Sequence, residues 1–207
     1  LDYLNRDSFY SGVNEGIINS DRIISTLNVY KKELVVDYKG LYSIEKFIIA
    51  RKLMYWQVYL HKTVLSAEHT LMNILKRAKE LARNDINIDC SLPFKSFLYE
   101  KEPINRTFFI KNKMLHDFSL LDDYDIITCI KNWTTETDPV LNLLSKTIIN
   151  RKLLKIESVN HQEIKKKINE LRKIGMRKFN MNTKEIAYLI FPISIKKETY
   201  NLMKNEI

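Results

Sequence analysis

Apolar residues recur every three to four positions along most of this 207-residue chain, which predicts a mainly helical protein. The chain starts "LDYLNRDSFYSGV", with Leu1, Tyr3 and Leu4 already at helical spacing and two glycines in "SGVNEG" to end the helix near Gly12. A short helix is expected over "SDRIISTL", with Ser20 as its N-cap. Two β-prone runs meet around Tyr30 to Glu33, a small hairpin that Gly40 closes. From Ser43 to Arg83 there is neither Pro nor Gly. Ile44, Phe47, Ile48, Met54, Val58, Leu65, Leu71, Ile74, Leu75 and Ala78 mark one buried side. With Ser43 as cap, that stretch predicts one rod of about 60 Å at 1.5 Å per residue.

Shorter helices are expected at Phe94–Tyr99, Asp122–Trp133 and Pro139–Asn150, the last with Asp138 as cap and Pro139 in its first turn. "NHQE" at Asn160 to Glu163 and "NTKE" at Asn182 to Glu185 are capping-box patterns. No internal repeat or low-complexity linker interrupts the chain. The expectation is one mainly helical domain over residues 1–207, built on a long helix with a small β-hairpin. Residues 1–90 would carry the site helices, and residues 91–207 a C-terminal lobe.

Composition narrows the class. Two cysteines, Cys90 and Cys129, suit a reducing compartment, and the longest apolar run, "YLIFPISI", is far short of a membrane span of roughly 20 residues. A cytoplasmic protein with no membrane partner is expected. The net charge is +9, and residues 151–207 hold 14 Lys and Arg against 6 Asp and Glu. That basic segment admits a nucleic-acid partner, although no aromatics interleave the lysines of "HQEIKKKINELRKIG" to stack on bases. A solvated helical face explains the same run.

Motifs of common catalysts are missing: no P-loop, no dinucleotide-binding glycines, no Cys-x-x-Cys and no His-Glu-x-x-His. His69, His116, Asp117 and one of Asp122, Asp123 or Asp125 have the composition of a metal site. Such residues recur by chance in a charged chain, and the spacing favours coincidence. No metal ligand is assigned within residues 1–207. More informative is "IARKLMYWQVYLHK", where Arg51, Tyr55, Tyr59 and Lys62 fall within about 80° of one helix face. Two cations and two phenols there could clamp a phosphorylated ligand, or could simply belong to an amphipathic helix with snorkelling cations.

The two stretches together, Asp2, Tyr3, Arg6, Asp7 and then Arg51, Tyr59, His61, Lys62, resemble the nucleotide-binding half of the HD-domain deoxynucleoside triphosphate triphosphohydrolases. "FSLLDDYDIITCI" and "NRKLLKI" are similar to that family's C-terminal lobe. The resemblance implies that Asp7 accepts a hydrogen bond from the sugar 3′-hydroxyl and that Tyr3 and Tyr59 flank the deoxyribose. It implies that Tyr59 crowds out a 2′-hydroxyl and that Arg51 binds the terminal phosphate. Arg22, Lys39, His61 and Lys62 fall near positions that hold a regulatory nucleotide between subunits. Where some members carry His in the long helix, Tyr55 stands here.

By the same resemblance the metal ligands, a His, a His-Asp pair and an Asp, precede Leu1 in a longer enzyme that uses Mn, Mg or Fe. That enzyme would attack the α-phosphate of a deoxynucleoside triphosphate with water, releasing nucleoside and triphosphate. This chain alone would be inactive, would bind deoxynucleoside triphosphates and would form a homo-oligomer. Two other readings remain at this point, a nucleic-acid-binding helical module and a ligand-free helical scaffold.

Overall fold

The computed structural model describes residues 1–111, 114–160 and 162–194. The chain is mainly helical with one two-stranded hairpin, as the periodicity predicts. It divides into two compact units, Leu1–Leu65 and Ser66–Ser194.

In the first unit, α1 (Asp2–Ser11) stops at Gly12, whose φ of 71° places it in the left-handed region where glycine carries no Cβ penalty. Leu4 and Ser8 are its buried side chains. Asn5 holds the next segment: its Oδ1 accepts from Ile18 N at 3.0 Å and its Nδ2 donates to Ser20 Oγ at 2.9 Å. Helix α2 (Ser20–Ser25) is capped by Asn19, not by Ser20, because the Asn19 side chain accepts from Arg22 N. Strands β1 (Leu27–Tyr30) and β2 (Glu33–Val36) pair antiparallel, Leu27 opposite Val36 and Tyr30 opposite Glu33. The two turn residues, Lys31 and Lys32, both have positive φ, as a two-residue hairpin turn of matching twist demands. Gly40 lies against Thr26 and Val36 at the base of that hairpin, where a Cβ has no room.

Helix α3 (Leu41–Met54) follows, starting two residues before the expected cap Ser43. Ala50 and Met54 join Leu4 and Ile18 as the buried centre of this unit. Leu41, Ile48, Ile49 and Leu53 remain exposed, so Ile48 is not on the buried side where the spacing put it. Charged Glu45, Lys46, Arg51 and Lys52 are spread among the apolar residues of α3, and a period cannot choose a face when the apolar positions are not gathered on one.

The expected single rod is also corrected. Tyr55–Tyr59 form a π turn, closed by Leu60 N donating to Tyr55 O at 2.8 Å, and a new helix α4 (Lys62–Arg83) begins after it. Neither Gly nor Pro marks this break. Contacts distant in sequence hold it instead: Tyr59 bonds to Asp7, and Gln57 Nε2 donates to Glu15 Oε1 at 3.1 Å.

The second unit centres on Ile74, Ala78, Leu81 and Ala82 of α4, with Phe94 and Leu98 of α5 (Leu92–Leu98). Ile130 and Trp133 of α8 (Asp123–Trp133) and Leu141 and Leu144 of α9 (Pro139–Ile149) complete it. Trp133 is fully buried and its Nε1 donates to Asp89 O at 2.7 Å, satisfying the indole. Asp122 and Asp125 form a reciprocal capping box at α8, and Asp138 caps α9 through Leu141 N. Between the helices expected at Phe94–Tyr99 and Asp122–Trp133 the chain forms two more, α6 (Arg106–Lys111) and α7 (Met114–Leu120).

Helix α10 (Ile164–Phe179) has no side-chain cap at Glu163, so the Asn160–Glu163 pattern does not operate as a capping box. Asn182 and Glu185 do form one at α11 (Thr183–Ile186). Among the described residues no helix is long and apolar enough to cross a membrane, and Cys90 and Cys129 are free thiols.

Candidate functional site

Within the first unit, α1 and the end of α3 bring the two sequence motifs together. Tyr3 and Asp7 are four residues apart on α1 and share a face, while Asp2 and Arg6 pair with one another at 2.9 Å, both exposed. The Tyr59 hydroxyl donates to Asp7 Oδ2 at 2.5 Å across 52 residues of sequence. Burial, followed by that hydrogen bond and the nearby charge of Asp7, raises the Tyr59 phenol far above its usual range, and Tyr3 and Tyr55 add to the effect. Tyr59 is therefore a committed donor.

The contacts continue along the helix. The Tyr55 and Tyr59 rings meet edge to face, their centroids 5.1 Å apart at 77°. The guanidinium carbon of Arg51 lies 5.6 Å from the Tyr55 ring centroid. The sequence thus runs Asp7, Tyr59, Tyr55, Arg51 through space, with Tyr3 at the Asp7 end. A carboxylate at one end suits a hydroxyl donor, and a guanidinium at the other suits phosphate oxygens. Aromatic edges between them suit a sugar or a base.

The π turn alters one part of the expected stripe. Lys62 belongs to α4, beyond the break at Leu60 and His61, so it does not continue the helix that carries Arg51, Tyr55 and Tyr59. Arg22, Lys39, His61 and Lys62 are all exposed. Arg22 lies on α2, Lys39 just before α3, and His61 Nδ1 accepts from Thr63 N at 3.3 Å. No described hydrogen bond or ion pair joins these four to Asp7 or Tyr59. Glu15 and Gln57 hold the π turn, yet no local pattern in the sequence singles them out.

The residues with metal-site composition do other work. Asp117 Oδ2 accepts from Ser96 Oγ at 2.6 Å, and Asp122 and Asp125 cap α8. The His69 ring lies 6.1 Å from the ring of Phe191. Among the described residues, no group of three or more His, Cys, Asp or Glu is placed to hold a metal ion.

Residues 18–89 match the family described as the HD associated region. The chain is 32% identical over 164 residues to the uncharacterized protein YwfO of Bacillus subtilis, covering 79% of this chain and 35% of YwfO. It is 29% identical over 196 residues to the MG461 homolog of Mycoplasma pneumoniae, also uncharacterized, covering 92% of this chain and 44% of that protein. The chain thus spans less than half the length of either relative. Among solved structures, a phosphohydrolase of Bacteroides thetaiotaomicron, BT4208, superimposes with a TM-score of 0.81 at 44% identity. That match covers 90% of this chain and 46% of the other. This chain is therefore similar, over nine-tenths of its length, to part of a larger phosphohydrolase, and residues 18–89 are similar to the region associated with HD domains.

Proposed function

We propose that this chain is the nucleotide-binding and oligomerising portion of an HD-type phosphohydrolase that cleaves deoxynucleoside triphosphates to nucleoside and triphosphate. The hydrogen bond from Tyr59 to Asp7 carries the reading, because it unites two motifs that nothing in local periodicity requires to meet. Asp7 would take the sugar 3′-hydroxyl, using the lone pairs that the Tyr59 hydroxyl leaves, and Tyr59 would exclude a 2′-hydroxyl. Arg51 would grip the terminal phosphate, and Tyr3 would cover the sugar from α1.

The described residues offer no three-ligand set that fits a divalent Mn, Mg or Fe ion, so no step is assigned to a metal on this chain. What the chain contributes is binding and orientation, which hold the substrate in line for attack. Exposed Phe9, Tyr10, Tyr38 and Tyr42 in the first unit are aromatic surface that a second copy would cover, which supports self-association.

Calorimetric titration of the chain with each deoxynucleoside triphosphate tests the reading. Binding is expected, and Arg51→Ala should weaken it by about 1.5–3 kcal/mol, the size of a lost charge-assisted contact. An unaltered affinity in Arg51→Ala, or a ribonucleotide bound as well as its deoxy counterpart, counts against it. Sedimentation of the same preparation tests the second half, and a monomer at every concentration removes it.

A further inference from the structure

Tyr55 stands between the two ends of the cluster and touches both. Its ring faces the Arg51 guanidinium, with 5.6 Å from that carbon to the ring centroid, and meets the Tyr59 ring edge to face at 5.1 Å. Residues four apart on a helix share a face, and Tyr55 and Tyr59 keep that relation at the break between α3 and α4. The turn over Tyr55–Tyr59 is a π turn, one residue longer than an α turn. None of the five residues in the turn is fully buried, while Val58 and Tyr59 pack against the Leu4, Ile18, Ala50 and Met54 core. Within the turn the Tyr55 ring meets the Tyr59 ring, and the Tyr59 hydroxyl reaches Asp7.

We infer that Tyr55 is a positioning residue that couples the phosphate end of this site to its sugar end. Its face holds the Arg51 guanidinium in place, and its edge holds the Tyr59 ring whose hydroxyl reaches Asp7. The quality of sugar selection therefore depends on the same ring that places the phosphate-binding cation. The inference rests on the nucleotide reading given above and adds a dependence of one end on the other. It concerns the phenyl ring and not the Tyr55 hydroxyl.

The test uses the chain with Tyr55→Phe and Tyr55→Leu, each titrated calorimetrically with the four deoxynucleoside triphosphates and the four ribonucleoside triphosphates. Circular dichroism checks folding. Tyr55→Phe keeps the ring and should bind like the unaltered chain. Tyr55→Leu should bind deoxynucleotides about tenfold more weakly, the combined size of one cation–π contact and one edge-to-face pair. It should also lose preference for deoxyribose over ribose, a readout that a merely structural role would not move. Tyr55→Leu binding as tightly as the unaltered chain, or more weakly with its sugar preference intact, overturns the inference and leaves the nucleotide reading standing. A double cycle of Arg51→Lys and Tyr59→Phe, with Tyr55 untouched, gives the answer if Tyr55→Leu does not fold. Coupling of about threefold or more supports the link, and additive effects overturn it. If the unaltered chain binds none of the eight nucleotides, the nucleotide reading falls first and the inference with it.

Discussion

Arg77 grips Asp138 with two nitrogens, Nε to Oδ1 at 3.1 Å and Nη2 to Oδ2 at 2.6 Å, joining α4 to the start of α9 across 61 residues. Both side chains are about seven-eighths covered, at 12% and 14% exposure. The third Arg77 nitrogen binds Glu80 at 2.7 Å, and Glu80 accepts in turn from the Tyr188 hydroxyl at 2.8 Å. The hydrogen bond to Asp138 outweighs burial and raises the guanidinium above its ordinary value, so the cation is held throughout the accessible range. Asp138 also caps α9, which makes one carboxylate serve two elements. Replacing Arg77 by Met leaves that carboxylate buried without its cation and should cost about 3–5 kcal/mol. Asp138→Asn keeps a capping oxygen and should cost less. Urea unfolding of the two variants orders them, and equal losses would contradict the division of labour.

The same network gives the protein an alkaline limit. Burial, and then the bond to Glu80, pushes the Tyr188 phenol up to about 12. Burial opposes ionisation of Glu80, but hydrogen bonds from Tyr188 and Arg77 outweigh it and hold that carboxyl below its usual value. A phenol raised on folding contributes stability that is fully present below its unfolded value near 10. That contribution is lost as pH rises from about 10 towards about 12. The urea midpoint should therefore fall over this window, and Tyr188→Phe should flatten the fall. Parallel curves for the two proteins would show that Tyr188 is not the group responsible.

Gly40 marks a different limit, one of space. A Cβ there would sit 2.6 Å from Val36 Cγ1 and 2.9 Å from Thr26 Cβ, and it would crowd Thr26 Oγ1 as well. Thr26 is buried and its hydroxyl already donates to Ile23 O at 2.9 Å, so it cannot swing aside without losing that bond. Gly40→Ala should destabilise the first unit by about 1–3 kcal/mol, the usual price of overpacking. Hydrogen exchange should register the loss in the hairpin amides. Unchanged protection of the Asp37 amide, which donates to Thr26 O at 2.8 Å, would show that the base of the hairpin yields easily.

Local chemistry was readable in the sequence wherever one residue decides the outcome. Gly12 ends α1 because it takes a left-handed φ, and Asp138 with Pro139 starts α9 because one caps and the other leads. Asn182 and Glu185 close their box for the same local reason. What escaped was decided by residues far away. The rod from Ser43 to Arg83 carries no breaker, yet it opens at Tyr55–Tyr59, where Asp7 and Glu15 make their contacts. Ile48 lies exposed because apolar and charged residues are mixed around α3, so periodicity could not choose its inner face. Asn160 and Glu163 have the right spacing but no helix start between them, since α10 begins only at Ile164. At the site, Tyr3, Asp7, Arg51 and Tyr59 follow from the motifs and Tyr55 from its helical spacing, whereas the bond from Tyr59 to Asp7 depends on how α1 meets the π turn.

Asp7 offers the most direct check on what this cluster recognises. Its carboxylate is half-buried, accepts from Tyr59 and is proposed to accept from a sugar 3′-hydroxyl. A ligand lacking that hydroxyl separates this role from general damage. A 2′,3′-dideoxynucleoside triphosphate should bind the unaltered chain about tenfold or more weakly than its 2′-deoxy counterpart, since a hydrogen bond to a charged acceptor is worth about 1.5–3 kcal/mol. In Asp7→Ala the two ligands should bind alike, because the acceptor is gone. Asp7→Asn retains an acceptor oxygen without the charge and should fall between the two. The Tyr59 hydroxyl loses its partner in Asp7→Ala, so some loss of stability accompanies the change, but such a loss affects both ligands equally. A tenfold preference for the 3′-hydroxyl that survives in Asp7→Ala would place its acceptor elsewhere.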